Sequence, residues 1–384
     1  MVTAGSRGDV APFTGLGRRL QQAGHEVALA AHDRFADLVR AAGLEHRPLP
    51  GDPVALTRAR TAAPSPEEAH AVFAAFLDEL GEGIVSAVAA GTDVVLSAFG
   101  PAPLSRAVAD GHGLPSAGVF LAPGVPTAEF PPPGWPGKPA AGNLAAGREA
   151  LARSSTLYAG VLGRLGARLE IVSPSWPVFH GYSPAVVPRP PDWPANVRVT
   201  GYWWPASSTS WRPPPALVEF LWAGPPPVFI GFGSMTPSRE QLAEIVAAAV
   251  ERAGVRAIVQ AGWAGLGAPS DRLLSIGEVP HEWLFPRVAA VVHHAGAGTT
   301  GAGLRAGVPA VAVPVLVDQP FWADRLHRLG VAPRPLPMAE LTAGELAAAL
   351  RSCLDDPSYR ERAADLGHRL RAEDGAAPVI AHLV

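Results

Sequence analysis

Residues 291–320 read "VVHHAGAGTTGAGLRAGVPAVAVPVLVDQP". An apolar run ends at His293 and His294, and small residues then lead into a helix-forming segment that closes near Gly307. A second apolar run, 309–313, precedes the pair Asp318–Gln319. Strand, turn, helix and strand in so short a span describe a crossover unit, which belongs to a parallel sheet with helices on its faces.

The same alternation extends in both directions. Downstream of 228, "VFIGFGSM", "VRAIVQAG", "LLSIGEV" and "PAVAVPV" read as strands, and "SREQLAEIVAAAVERAG" reads as a helix. In the first half, "PFTGLGRRLQQAG" predicts a helix over 12–24, with Leu16 and Leu20 on one face and Gly24 as its stop. "HEVALAAH" reads as a strand, "DRFADLVRAAG" as a helix, and "DVVLSAF", "LSRAVADGHG" and "PSAGVFLA" continue the pattern. The first strand is short, about "MVTA", which points to a late start or a clipped central strand. Between 184 and 227 proline is dense enough to exclude regular helix or central strand, and the tryptophans there read as packing anchors.

This gives an α/β chain of two Rossmann-like halves. Residues 1–200 form an N-terminal domain, 201–227 a proline-rich linker, 228–365 a C-terminal domain, and 366–384 a helix returning towards the N-terminal domain. Two such sheets facing one another would place their strand carboxyl ends along a cleft.

Composition narrows the function. At 384 residues and 48% hydrophobic content, the chain can bury two cores. A net charge of −3 argues against nucleic acid as partner. The lone Cys353 excludes an internal disulfide and suggests a reducing cytoplasm. No run reaches the ~18 apolar residues of a membrane span, and "MVTAGSRGDV" has no signal-peptide pattern. Abundant Ala, Gly, Pro and Arg beside a single lysine, Lys138, suggests GC-rich bacterial coding.

Several residues carry chemistry under two readings each. Gly296 and Gly298 allow a tight turn. The amides of Gly298, Thr299 and Thr300 would then meet an anion at a helix start, with His294 donating beside them. The alternative is a small-residue turn chosen for packing. "GFGSM" (231–235) makes a second glycine turn, bringing Ser234 near the first; it matches neither the dinucleotide fingerprint nor the P-loop. Asp318 and Gln319 suit sugar hydroxyls, or Asp318 caps the helix opened by Pro320. Asp9 is either the cap of helix 12–24 or a base pointing across the cleft; as a weak base it would need proton transfer concerted with bond formation, or a pKa raised by burial.

"GSRGDVAPF", "GYSPAVVPRPPDWPANVRVTGYW", "GFGSM", "HHAGAGTTGAGLRAGVP" and "PVLVDQPFWADRL", in this order, resemble nucleotide-sugar glycosyltransferases of the GT-B fold. The likeness is to sterol glucosyltransferases and bacterial antibiotic glycosyltransferases, and it runs nearly end to end. It implies inverting, metal-independent transfer of a hexose from a UDP- or TDP-sugar to an apolar hydroxylated acceptor, UDP-glucose being the first guess. Asp9 would activate the acceptor. His294, Gly296, Gly298, Thr299 and Ser234 would hold the donor diphosphate, Asp318 and Gln319 the sugar, and the Val279 backbone the base. Ala302 stands where plant relatives place a ribose-binding glutamate. Asp355–Asp356, ahead of a proline, reads as a turn, so no metal or other cofactor is expected. Phe73, Phe76, Phe99, Phe120, Phe130 and Trp135 are expected to line the acceptor site, with 123–143 as its mobile loop. An epimerase or hydrolase on the same fold, or a non-catalytic auxiliary protein, are the competing readings.

Overall fold

The computed structural model describes residues 1–165, 176–207, 211–233, 239–260 and 272–384. They form two compact units. The first comprises Met1–Pro184, Pro188–Ser208 and Asp374–Val384, and the second Ala185–Val187 and Thr209–Glu373.

The first unit contains β1 (Ala28–His32), β2 (Glu45–Leu49), β3 (Val95–Ser97), β4 (Ser116–Phe120), β5 (Val178–His180) and β6 (Val197–Val199). Their pairings are parallel, in the orders β1-β2 and β3-β4-β5-β6. Val2 joins the two groups by parallel bridges to Ala30 and Ser97. It donates to Leu96 O at 2.8 Å and accepts from Ala98 N at 2.9 Å, while Thr3 N donates to Ala30 O at 3.0 Å. The short first strand therefore lies at the centre of the sheet, bonded on both sides.

The second unit contains β7 (Val228–Gly231), β8 (Ala257–Gln260), β9 (Leu273–Ile276), β10 (Val291–His293) and β11 (Ala310–Ala312), all parallel, in the order β11-β10-β7-β8-β9. The chain runs outward from β7 to β9, then crosses back to β10. That reversal opens a crevice at the carboxyl ends of β7 and β10, where open α/β sheets bind ligands.

Three sequence expectations are corrected. The first helix spans Arg7–Gln22 rather than starting at 12, because Ser6 and Asp9 initiate it upstream of Pro12. It buries Val10, Phe13, Leu16 and Leu20, which share a core with Leu29, Phe179, Trp203, Ala376 and Val379. The proline-rich segment also holds regular structure. β6 lies within it, and so does a helix, Pro215–Trp222, whose proline sits in the first turn where no backbone N–H is missed. Trp193 and Trp203 there are buried anchors, whereas Trp222 is 85% exposed. Finally, helix Pro357–Ala372 stays with the second unit, so only the residues from Asp374 onward belong with the first. No helix among the described residues is long and apolar enough to cross a membrane.

Candidate donor and acceptor sites

β10 ends at His293, and the chain must turn at once to enter helix Ala297–Ala306. The turn is made by Ala295, which adopts a left-handed φ of 60° without being glycine. Its amide donates to His293 Nδ1 at 3.0 Å, which fixes the proton on Nε2. Burial first, then the neighbouring His294 and His281, lower the His293 pKa to about 3. This ring is thus a neutral part of the turn, and His294 is the histidine that reaches the crevice.

His294 lies between two glycines. A Cβ at Gly233, which comes after β7 with φ 71°, would fall within 3.2 Å of its Cε1, and one at Gly296 within 2.6 Å of its Nε2. The turns after β7 and β10 therefore meet, and a side chain at either glycine would displace the His294 ring. Gly296 itself has an extended backbone, φ −63° and ψ 144°, so it does not supply the tight turn expected of it. Gly298 does not either; it lies inside the helix, and a Cβ there would meet nothing within 4 Å among the described residues. Burial also lowers the His294 pKa, favouring the neutral ring.

The helix start differs by one residue from expectation. Thr300 N bonds Gly296 O at 2.9 Å, so the amides without an intrahelical acceptor are those of Ala297, Gly298 and Thr299. Together with the helix dipole they favour negative charge beside His294. The helix is held at its other end by close packing. Gly307 caps it at φ 70°, and a Cβ on Gly367 would lie 2.8 Å from Leu304 O. Ala302 lies on this helix, Val279 stands just past the carboxyl end of β9 and is 9% exposed, and Ser234 lies outside the described residues.

Beyond β11, Asp318 occupies the N-cap position of helix Gln319–Arg328, yet its side chain makes no cap bond. Its Oδ2 accepts from Trp322 Nε1 at 2.8 Å instead. Gln319 Oε1 accepts from Val315 N at 2.8 Å and Leu316 N at 3.2 Å, leaving the amide nitrogen as the end that can donate to a ligand. The capping reading of Asp318 is thereby set aside.

In the first unit, Asp9 sits in the opening turn of its helix, beyond the central Val2 position. Ser6 N and Oγ both donate to its Oδ2, at 2.6 and 2.8 Å, and Thr3 Oγ1 donates to its backbone carbonyl at 2.6 Å. Gly5, at φ 141°, makes room, since a Cβ would fall 2.4 Å from Asp9 Oδ2. Burial raises the Asp9 pKa and the Ser6 bonds partly offset it. The result is a carboxylate fixed through one oxygen and made more basic. Ser6 is a site residue that the sequence motifs did not single out, although Ser-x-x-Asp ahead of an apolar run is a legible helix-start signal.

The aromatic residues divide. Phe120 is a core residue, 1% exposed, and cannot line a surface directly. Around it stand Phe99 at 5.2 Å, His180 at 5.7 Å and Trp176 at 6.1 Å between ring centroids. His180 stacks on Trp193 at 4.7 Å, and Phe130 meets the same indole at 6.4 Å. Of these Phe99 is 44% exposed and offers an apolar face. Phe73 and Phe76 stack on one another at 6.4 Å and pack against a different core, and Trp135 lies under the Arg153 guanidinium. The rings of His180, Trp176 and Trp193 carry no sequence signal of this role: strand pairing sets His180 against Phe120, while Trp176 and Trp193 join the cluster from outside the strands.

Among the described residues no three His, Cys, Asp or Glu side chains form a set that could hold a metal ion. Asp356 caps helix Pro357–Ala372 through Ser358 N at 2.9 Å.

Residues 1–103 match the glycosyltransferase family 28 N-terminal domain, and residues 243–384 match the erythromycin biosynthesis protein CIII-like C-terminal domain. The chain is 37% identical to the O-mycaminosyltylonolide 6-deoxyallosyltransferase of Streptomyces fradiae, over 98% of this chain and 94% of that one. It is 35% identical to a sterol 3-beta-glucosyltransferase of Arabidopsis thaliana, covering 99% of this chain but only 64% of that protein's length. Among solved structures, the glycosyltransferase VinC in complex with dTDP superposes with a TM-score of 0.73 at 19% identity, covering 100% of this chain and 97% of that one. The Streptomyces sp. SF2575 glycosyltransferase SsfS6, complexed with thymidine diphosphate, gives 0.70 at 21%, covering 100% and 98%.

Proposed function

The chain belongs to the GT-B glycosyltransferases, alongside natural-product and sterol glycosyltransferases, and on that premise we propose its reaction. A hexose passes from a UDP- or TDP-sugar to a hydroxyl of an apolar small molecule, with inversion at the anomeric carbon. Asp9 removes the acceptor proton as the oxygen attacks. The bond from the anomeric carbon to the diphosphate breaks, and its electron pair leaves with the phosphate oxygen. His294 and the first amides of helix Ala297–Ala306 meet that charge, so no metal is invoked. Asp318 and Gln319 grip the sugar, and Phe99 belongs to the acceptor surface.

The observation that carries this reading is the arrangement at the reversal point. His294 is lodged between Gly233 and Gly296, beside a helix start whose second residue, Gly298, is exposed, with nothing among the described residues within 4 Å of where a Cβ would stand. Thymidine diphosphate in two structural relatives supports keeping TDP beside UDP as donor.

Calorimetric titration with UDP, TDP and GDP tests it without knowledge of the acceptor. Micromolar binding of a uridine or thymidine diphosphate, lost in His294→Ala, is the expected result. Absence of binding by all three nucleotides would overturn the donor site.

A further inference from the structure

The pair Asp318–Gln319 is shaped by contacts that its sequence does not announce. Asp318 stands at a helix N-cap position, where an aspartate ordinarily bonds the first-turn amides. Here it forgoes them, and Oδ2 takes the indole N–H of Trp322, one helical turn on, at 2.8 Å. Trp322 is 0% exposed, so its ring has no freedom to adapt to the carboxylate; the carboxylate adapts to the ring. Gln319 is fixed independently by the amides of Val315 and Leu316. Next to them Val317 is held at a left-handed φ of 59°, a costly conformation for a β-branched residue.

We propose that Trp322 is a positioning residue for the donor sugar: its indole N–H orients the Asp318 carboxylate that accepts the sugar's hydroxyls. The inference rests on the assignment of Asp318 to the donor sugar. A neutral donor suits the task. An arginine in that place would orient the carboxylate but cancel its charge, weakening it as an acceptor for hydroxyls. An indole N–H fixes one oxygen without itself adding a charge. Trp322 is buried and acts here through Asp318, so on this proposal its effect should appear only when a sugar is present.

The test compares the Kd of UDP with that of UDP-glucose, and of TDP with TDP-glucose, by calorimetry on the full chain. The variants are Trp322→Phe, Trp322→His and Asp318→Ala. The expected result for Trp322→Phe is a rise of about tenfold in the ratio of sugar-nucleotide Kd to nucleotide Kd, the scale of one lost hydrogen bond to a charged group. The Kd of the bare nucleotide should hold within about twofold by the same reasoning. Trp322→His leaves a comparable cavity but can place a ring N–H where the indole had one, and it should restore most of the ratio. That pair of variants separates the hydrogen bond from packing. Equal ratios in wild type and Trp322→Phe, with a raised ratio in Asp318→Ala, would overturn the role of Trp322 and keep the sugar site. An unchanged ratio in Asp318→Ala as well would overturn both. Loss of bare nucleotide binding in Trp322→Phe and Trp322→His alike would show a merely structural residue.

Discussion

Among the described residues of the second unit, the edge beside β7 and β10 is shaped by glycine backbone. Gly233 and Gly296 flank the His294 imidazole, and the amides of Ala297, Gly298 and Thr299 have no intrahelical acceptor. In the first unit, the edge beyond β4 and β5 is filled by rings, with Phe99 at the surface above Phe120, Trp176, His180 and Trp193. The strand order is the same in kind: each sheet starts at its middle, runs outward and reverses. The two differ in the loops that leave their strands. Topology decides where a site can form, and the residues in those loops decide whether it takes charge or apolar surface.

The sharpest way to break the contrast is at Asp9, the acid fixed in the ring-bearing unit. Asp9→Asn keeps its shape and removes the base. Turnover is expected to fall about 10³-fold. Nucleotide Kd, measured by calorimetry, should not change, and a large change would mean that the two edges are not chemically separate. Activity of the native enzyme should also decline on acidification at a pH above the ordinary carboxylate range, since burial raises the Asp9 pKa. A pH profile of kcat/KM checks this.

At the backbone-lined edge, Gly296→Ala should weaken nucleoside diphosphate binding about tenfold, because the new methyl displaces His294. Gly298→Ala, an exposed helical position with no neighbour among the described residues, should melt at or slightly above the wild-type temperature. Equal nucleotide affinity in Gly296→Ala and wild type would show that His294 is not part of the site.

Phe99→Ala is the counterpart. The apparent KM for an apolar acceptor should rise about fivefold, the worth of a partly buried ring, while donor KM stays constant. A donor effect of equal size would dissolve the comparison.

The smallest effect is shared by both units. His180 and His293 are each lowered to about 3, chiefly by burial. Below their unfolded pKa of about 6.5 the unfolded chain takes up protons that the folded chain refuses, so stability falls as pH falls. Each should contribute a loss of about 2 kcal/mol by pH 5. Thermal melts between pH 7.5 and 5 should show the decline, less steeply in His180→Gln.

The parallel strands and the order of the loops are legible in the sequence, because period and turn residues are local signals. The start of helix Arg7–Gln22 is less so: Pro12 looks like a first residue, while Ser6 and Asp9 outweigh it. Glycine is the expected residue for the tight turn after β10, yet Ala295 makes it, since the bond to His293 Nδ1 can hold a residue where its own preference would not. Trp322 is hidden among ordinary helix residues, although its spacing from Asp318 is one turn. The ring cluster is legible only in its phenylalanines, Phe99, Phe120 and Phe130; His180 reaches Phe120 through strand pairing and Trp193 stacks on His180 from the segment ahead of β6, which no local pattern shows.

Val317 carries a consequence in time rather than in affinity. A glycine at that position would relieve the left-handed strain and let the segment 314–318 wander between many conformations. Each arriving donor would then wait for the segment to return. With Val317 restricting the backbone and the Gln319 side-chain oxygen holding the neighbouring Val315 and Leu316 amides, the segment is ready at first encounter, and association would proceed at the speed of diffusion and orientation.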